Sequence, residues 1–387
     1  MRNGHRVFDA DTHMQPMAEA IEPYLSKALR ERVPDLDAHK VDFKTGWAGE
    51  KLEPPYRHTF SFRGRGGGWG GGKPRVLGEA GPRENAEREF QKFMGRTFPT
   101  PGSSDWDPEA RVRDMDEEGQ DVHMMVPAGA NGAEDPWIEM EFIQANNRFL
   151  NDFCSGYPHR LKSLIAVTPR SIEASVAEIR RWSDSTWAVG VQPHLPLDYP
   201  LDHPDMEPIW RAADEAGMAI VHHSFATGYP GYRDLWENPF LGRTASHPWA
   251  AMRAVAAFFG AGILDRHPNI RFCILESGFG WLPFWARRMD DQVEYMGYVP
   301  ENLQHKMSEY MTGGRFFASI VLHEGEDMVR MVMEDLGDHV LMFGSDYPHA
   351  ESRFPDSVEN VLGWKSIGEE RMRKLMWDNP VRCFGEP

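Results

Sequence analysis

From about residue 120 onward, short apolar runs alternate with segments of helical periodicity. "VHMMVPA" (122–128) has the pattern of a buried strand. "EMEFIQANNRFLNDFCSGY" (139–157) repeats its apolar residues at helical spacing, and "LKSLIAVTP" (161–169) predicts a strand closed by proline. A helix opened by Ser171, a strand "WAVGVQPH" (187–194) and a helix from about Pro204 to Ala216 follow. Four more strand patterns come after them: "MAIVHH" (218–223), "NIRFCILE" (269–276), "RFFASIV" (315–321) and "HVLMFGSD" (339–346). Helix-like segments such as "PWAAMRAVAAFFGAGILDRH" lie between these. With "RVFDAD" at 6–11 the total is eight strands. Parallel strands joined by helices imply right-handed crossovers, and eight such units predict an α/β fold of the closed (β/α)8 TIM-barrel kind. An open doubly wound sheet is the rival, but no G-x-G-x-x-G follows an early strand to mark a dinucleotide site.

Residues 17–115 depart from the repeat and are expected to be an insertion or lid after the first strand, within a single domain spanning 1–387. This region contains "FRGRGGGWGGGKP" (62–74), where no Lys-Ser/Thr pair opens a helix, so a phosphate cradle is not expected. A loop is the better reading.

Apolar residues at 41% and charged residues at 26% are globular values, and no run approaches the ~18 apolar residues of a membrane span. The 59 acidic against 42 basic side chains give a net charge of −17, which repels nucleic acid and leaves a small molecule as the expected partner. Three scattered cysteines and the lack of a secretory leader pattern point to a reducing cytoplasmic setting.

In such a barrel the chemistry lies at the C-terminal strand ends. The first strand ends in Asp11 and His13, the fourth in His194, the fifth in His222 and His223, and the eighth in Asp346, with His349 close behind. Histidine and aspartate are unusual at the tip of an apolar run, and they are suitable donors for one divalent cation: Zn2+ first, with Mn2+ or Fe2+ as alternatives. Strand alternation puts Asp9, Asp11 and His13 on one face. Asp11 and His13 can reach an ion together, while His194 and Asp346 close the site from across the barrel. Asp9, one step back, is expected to support the site by hydrogen bonding. His5, His39, His58, His159, His203, His267 and His305 fall in loops or on helix surfaces and read as solvated. Loop arginines such as Arg63, Arg65, Arg243 and Arg253 read first as surface or ion-pair residues.

"DADTH", "GVQPH", "MAIVHHS", "FCILESGFGWLPFWARRMD", "MFGSDYPHAES" and "DNPVRCFG", in this order between residues 7 and 385, resemble the amidohydrolase-related family. This is the branch of the amidohydrolase superfamily that includes aminocarboxymuconate-semialdehyde decarboxylase and γ-resorcylate decarboxylase. The resemblance implies Asp11, His13, His194 and Asp346 as metal ligands, and His223 as the histidine that contacts the reacting group, with Asp346 as its catalytic partner. It implies nonoxidative decarboxylation of a small aromatic or unsaturated carboxylic acid, or alternatively hydrolysis of a C–C, amide or lactone bond, in a homodimer or higher homo-oligomer. The chain departs from the pattern at "ESGFGW". Glu276 stands there at the end of the sixth strand, expected to hydrogen-bond a ligand histidine, to serve as a second acid or base, or to cap the helix near Trp281. A metal-binding barrel without catalysis is the remaining alternative.

Overall fold

The computed structural model describes all residues except 43–45, 47–48, 63–96, 128–131, 196–198, 224–243, 246, 298, 302 and 350. Eight parallel strands pair in chain order: β1 (Phe8–Met14), β2 (Val122–Pro127), β3 (Leu161–Val167), β4 (Ala188–Pro193), β5 (Ala219–His223), β6 (Arg271–Leu275), β7 (Phe316–Ser319) and β8 (Leu341–Met342). The sheet closes on itself where Ala10 N–H donates to Phe343 O (2.9 Å) and Asp346 N–H donates to Asp11 O (2.9 Å). Thr12 and Tyr347 complete the seam with a parallel bridge. This is the predicted barrel. Its long helices are α1 (Pro108–Glu118), α2 (Pro136–Ser155), α3 (Ile172–Trp182), α4 (Glu207–Glu215), α5 (His247–Gly260), α6 (Leu282–Met296) and α7 (Gly325–Leu336).

The strands read as near-continuous apolar runs because both faces are covered. Phe8, Met124, Leu164, Val221, Leu275 and Phe317 fill the lumen. Their neighbours Val7, Ile165, Ile220, Ile274 and Phe316 face outward into the packing between strands and helices.

The helix α1 begins inside the expected insertion and runs three residues past its end, and its own boundaries have local causes. Asp107 accepts from Ala110 N–H as N-cap, Pro108 occupies the first turn, and Gly119 ends the helix at φ +80°. Its buried face mixes Ala110 and Met115 with the polar Arg111, Asp114 and Glu118. Ahead of it, the described insertion is docked rather than free: Leu25, Leu29, Leu36 and Phe60 join the core, and the Phe60 ring stands edge-on to Phe142 of α2 at 5.3 Å. The glycine-rich stretch from residue 63 to 74 lies outside the described residues, as do Arg63, Arg65 and Arg243.

Two local expectations change. Ser171 precedes α3, but its hydroxyl donates to Pro136 O, and the side-chain cap of this turn is Thr168, whose hydroxyl accepts from Arg170 N–H. His267, read as solvated, is only 4% exposed and pairs with Glu207 at 3.0 Å, because the start of α4 folds back over it.

Candidate metal centre at the strand ends

Strict alternation along β1 fails at the point where the chemistry begins. Phe8 and Ala10 enter the lumen, while Asp9 pairs in register with His123 of β2, and both reach Gln120 behind the strand. Between Asp9 and Thr12 the strand advances three residues against two of its neighbour, His123 to Met125. Asp9 Oδ1 drives this offset: it accepts Asp11 N–H at 3.2 Å and Ser345 N–H at 3.0 Å. The extra residue rephases the strand, as in a β-bulge, and lets Asp11 face the barrel mouth together with His13. Asp9 therefore does not share a face with them, contrary to the equal spacing in the sequence. It stands behind the strand as a hydrogen-bonding support.

At the mouth the donors crowd together. His13 Nε2 lies 2.9 Å from Asp346 Oδ1, 3.6 Å from Glu276 Oε2 and 3.8 Å from Asp11 Oδ1. His223 Nε2 lies 3.2 Å from Glu276 Oε2 and 3.6 Å from Asp11 Oδ1. His349 Nδ1 is 2.7 Å from Asp346 Oδ1, and its ring lies 4.1 Å from that of His13. Among the described residues two donor groups form, His13–Glu276–Asp346–His349 and Asp11–His13–His223, with the ligand atoms of each within 4.8 Å of one another. His194 belongs to neither. Its backbone is tied to β3 through Val167 O at 2.8 Å, and burial, followed by the charge of His223, pushes its imidazole down to about 4. Alternation on β5 sends Ala219 and Val221 into the lumen, and His223 follows them. His222 points the other way, with burial pushing it down to about 3.

These residues fit a divalent cation on their own terms. Asp11 Oδ1, His13 Nε2 and Glu276 Oε2, which meet at the mouth, are buried without a hydrogen bond of good geometry, as is His194 Nε2 outside the two donor groups. Leaving such an atom unsatisfied costs about 1–3 kcal/mol, so their convergence requires an explanation. Mixed carboxylate and imidazole donors supply one. The backbone is strained at the same place. Only three described non-glycine residues have positive φ: Asn3 (+50°), Glu276 (+46°) and Asp346 (+64°). Such strain persists where the surroundings over-determine it, and it gathers at functional sites.

Glu276 is the electrostatic hub. Burial pushes its carboxyl up, but the close approach of His223 and His247 and the charges of His223 and His13 prevail and hold it well below the usual range. His223 is the converse case: burial lowers it, while Asp11 and Glu276 together raise it well above an ordinary histidine. His247 was not singled out by the sequence. It opens α5 rather than ending a strand, and only the fold brings its Nε2 to 3.4 Å from Glu276 Oε1. The one available signal was a histidine directly before a helix-opening proline. Beside these groups lies a cavity of about 310 Å³, lined by Asp11, His247, Glu276, Trp281, Glu324 and Asp346 among others. Trp285 donates to Met252 O at 2.8 Å.

Solved structures share this architecture. An amidohydrolase from Mycobacterium avium subsp. paratuberculosis superposes with a TM-score of 0.70 at 19% identity, covering 99% of this chain and 98% of that one. A 5-carboxyvanillate decarboxylase from Sphingomonas paucimobilis gives 0.67 at 17%, covering 99% and 100%. A second 5-carboxyvanillate decarboxylase, from Novosphingobium aromaticivorans and holding manganese and 3-methoxy-4-hydroxy-5-nitrobenzoic acid, gives 0.67 at 18%, covering 99% and 98%. At such identities the likeness speaks for the fold. The family is a separate matter, and there the sequence itself is decisive: the amidohydrolase profile matches residues 10–385, nearly the whole chain, and this protein belongs to the amidohydrolase family.

Proposed function

We propose that this protein is a divalent-metal-dependent enzyme that removes CO2, without oxidation, from a small aromatic or unsaturated carboxylic acid. The observation that carries this reading is the set of buried, unsatisfied carboxylate and imidazole atoms converging beside a cavity of about 310 Å³, a volume suited to a single small ring. Asp11, His13, His194 and Asp346 are the proposed ligands, and two carboxylates match the charge of a divalent cation. Such a cation supplies Lewis-acid polarisation of substrate oxygens. The protein's own contribution is proton handling. His223, its Nε2 between the oxygens of Asp11 and Glu276, and Asp346, paired with His349, are positioned to hold and deliver the proton that replaces the departing carboxyl group. The two structurally similar 5-carboxyvanillate decarboxylases support this choice of chemistry.

Glu276 favours a second reading. A carboxylate held in its charged form between two histidines suits the base of a hydrolase, and hydrolysis of a C–C, amide or lactone bond is the alternative. Incubation with a panel of hydroxybenzoates and vinylogous acids separates the two: decarboxylation releases CO2, whereas hydrolysis carries 18O from labelled water into a product carboxylate. Elemental analysis should find about one metal per chain, lost in Asp11→Ala and His194→Ala. A metal-free, folded and fully active wild type would end the proposal.

The finer readings are Zn2+ ahead of Mn2+ or Fe2+, a cytoplasmic setting and a homodimer or higher homo-oligomer. The manganese of the Novosphingobium structure makes Mn2+ the immediate competitor. Phe284 and Tyr295, 59% and 79% exposed and about three turns apart on α6, give a dimer a candidate face. No helix among the described residues is long and apolar enough to cross a membrane.

A further inference from the structure

Ser319 closes β7 and stands, buried, between two acids of the site. Its hydroxyl oxygen is 3.0 Å from Glu276 N and 2.9 Å from Asp11 Oδ2. An amide N–H can only donate, so the hydroxyl accepts there and gives its single proton to Asp11 Oδ2. The direction of both bonds follows from donor chemistry alone.

One consequence concerns Asp11. With Oδ2 occupied, the oxygen left without a hydrogen bond is Oδ1, which faces His223 Nε2 at 3.6 Å and His13 Nε2 at 3.8 Å. The other concerns Glu276, whose left-handed φ of +46° is anchored by the N–H that Ser319 accepts. The Gly344 backbone runs close to both residues: a Cβ at that position would meet Asp11 Cβ at 2.8 Å and Ser319 Cβ at 3.0 Å.

We propose that Ser319 is the positioning residue of the metal centre. Its one hydroxyl turns Asp11 Oδ1 toward the cation and holds the Glu276 backbone, so cation affinity and the placement of Glu276 are set together. The inference rests on the reading of Asp11 as a cation ligand, and its test tells failure of one from failure of the other.

The experiment titrates Mn2+ and Zn2+ into the metal-free full-length chain against a chromophoric chelator, with circular dichroism melting as the check on folding. Ser319→Ala should weaken Kd by about 10- to 100-fold, the usual cost of losing a hydrogen bond to a metal ligand. Ser319→Thr keeps the hydroxyl and should stay within about threefold of wild type. On an Asp11→Asn background Ser319→Ala should add less than about twofold, because the hydroxyl acts through Asp11. If the alanine variant does not fold, Ser319→Cys, similar in size and a poor hydrogen-bond partner, carries the same expectation. Wild-type affinity in Ser319→Ala alongside weakened Asp11→Asn overturns the inference and leaves Asp11 as a ligand. Wild-type affinity in Asp11→Asn overturns both. Equal loss in the alanine and threonine variants assigns Ser319 to packing and overturns its hydroxyl role.

Discussion

Behind β1, on the side facing α1, the hydrogen bonds around Arg111 form a closed set. Arg111 is fully buried and donates to His123 Nδ1 (3.1 Å), His13 O (2.8 Å), Ser103 O (3.3 Å) and Thr12 Oγ1 (2.7 Å). Its guanidinium lies 5.0 Å from the Tyr347 ring centroid. His123 Nδ1 must accept from the arginine, so its proton sits on Nε2 and is donated to Gln120 Oε1, while Gln120 Nε2 donates to Asp9 Oδ2 (2.8 Å). In front of the same strand, at the barrel mouth, the same residue types leave Asp11 Oδ1, His13 Nε2 and Glu276 Oε2 without a hydrogen bond of good geometry. Aspartate and histidine on either side of one strand thus do different work. Where the hydrogen bonds close, the cluster is scaffold; where they stay open and converge, it is a site for a ligand.

If that contrast holds, substitutions on the two sides should fail in different ways. Asp346→Asn in front should reduce turnover by at least about a thousandfold through loss of a proposed ligand and proton carrier. The metal-free variant should melt no lower than metal-free wild type, since one charge leaves a crowded acidic cluster. A large loss of stability there would show the mouth to be scaffold after all. Arg111→Met behind the strand should do the reverse. It strands several buried acceptors and should cost about 3–5 kcal/mol of stability, read by urea unfolding. A neutral result would mean that the Arg111 network does not hold β1.

Gly344→Ala sharpens the comparison at the front, because the new methyl meets Asp11 and Ser319 directly. Metal affinity should fall by about tenfold or more while α1 and its network stay intact, as reported by chelator competition and circular dichroism.

The smallest expected effect is a pH slope. Burial, with Arg111 and Arg160 nearby, holds His123 well below an ordinary histidine, so the folded protein keeps it neutral where the unfolded chain takes up a proton. The unfolded state then binds more protons, and stability rises with pH. This contribution is complete above the unfolded value of about 6.5 and is lost as pH falls below it, at up to about 1.4 kcal/mol per pH unit. Unfolding measured between pH 7.5 and 5 should show a shallower slope in His123→Gln than in wild type. Parallel slopes would place the sensitivity in other buried histidines such as His222.

The barrel was legible because each strand had to bury two faces and each helix one, so the strand runs from "VHMMVPA" to "HVLMFGSD" could hardly fold otherwise. His223 was separable from His222 by alternation alone, which holds because β5 is regular there. Asp9 was expected as a hydrogen-bonding support and is one, but its face was misplaced, because β1 carries an extra residue between Asp9 and Thr12 and a period-of-two pattern cannot register such an offset. His247, Ser319 and Arg111 went unnoticed for a related reason. Ser319 ends β7 as an ordinary small polar residue and His247 and Arg111 lie on helices, and each acts through a partner distant in the chain that only folding supplies.

The sequence by itself determined the eight-strand repeat, the concentration of histidine and aspartate at its strand ends and the membership of the family, because these follow from local periodicity and residue type. Only the tertiary structure decided which polar groups are closed and which are open. Hydrogen-bond satisfaction is a property of pairs: Asp9 and Asp11 are chemically identical and two residues apart, and only their partners, Gln120 and Ser345 for one and Ser319 for the other, make the first a support and leave the second with an oxygen to offer.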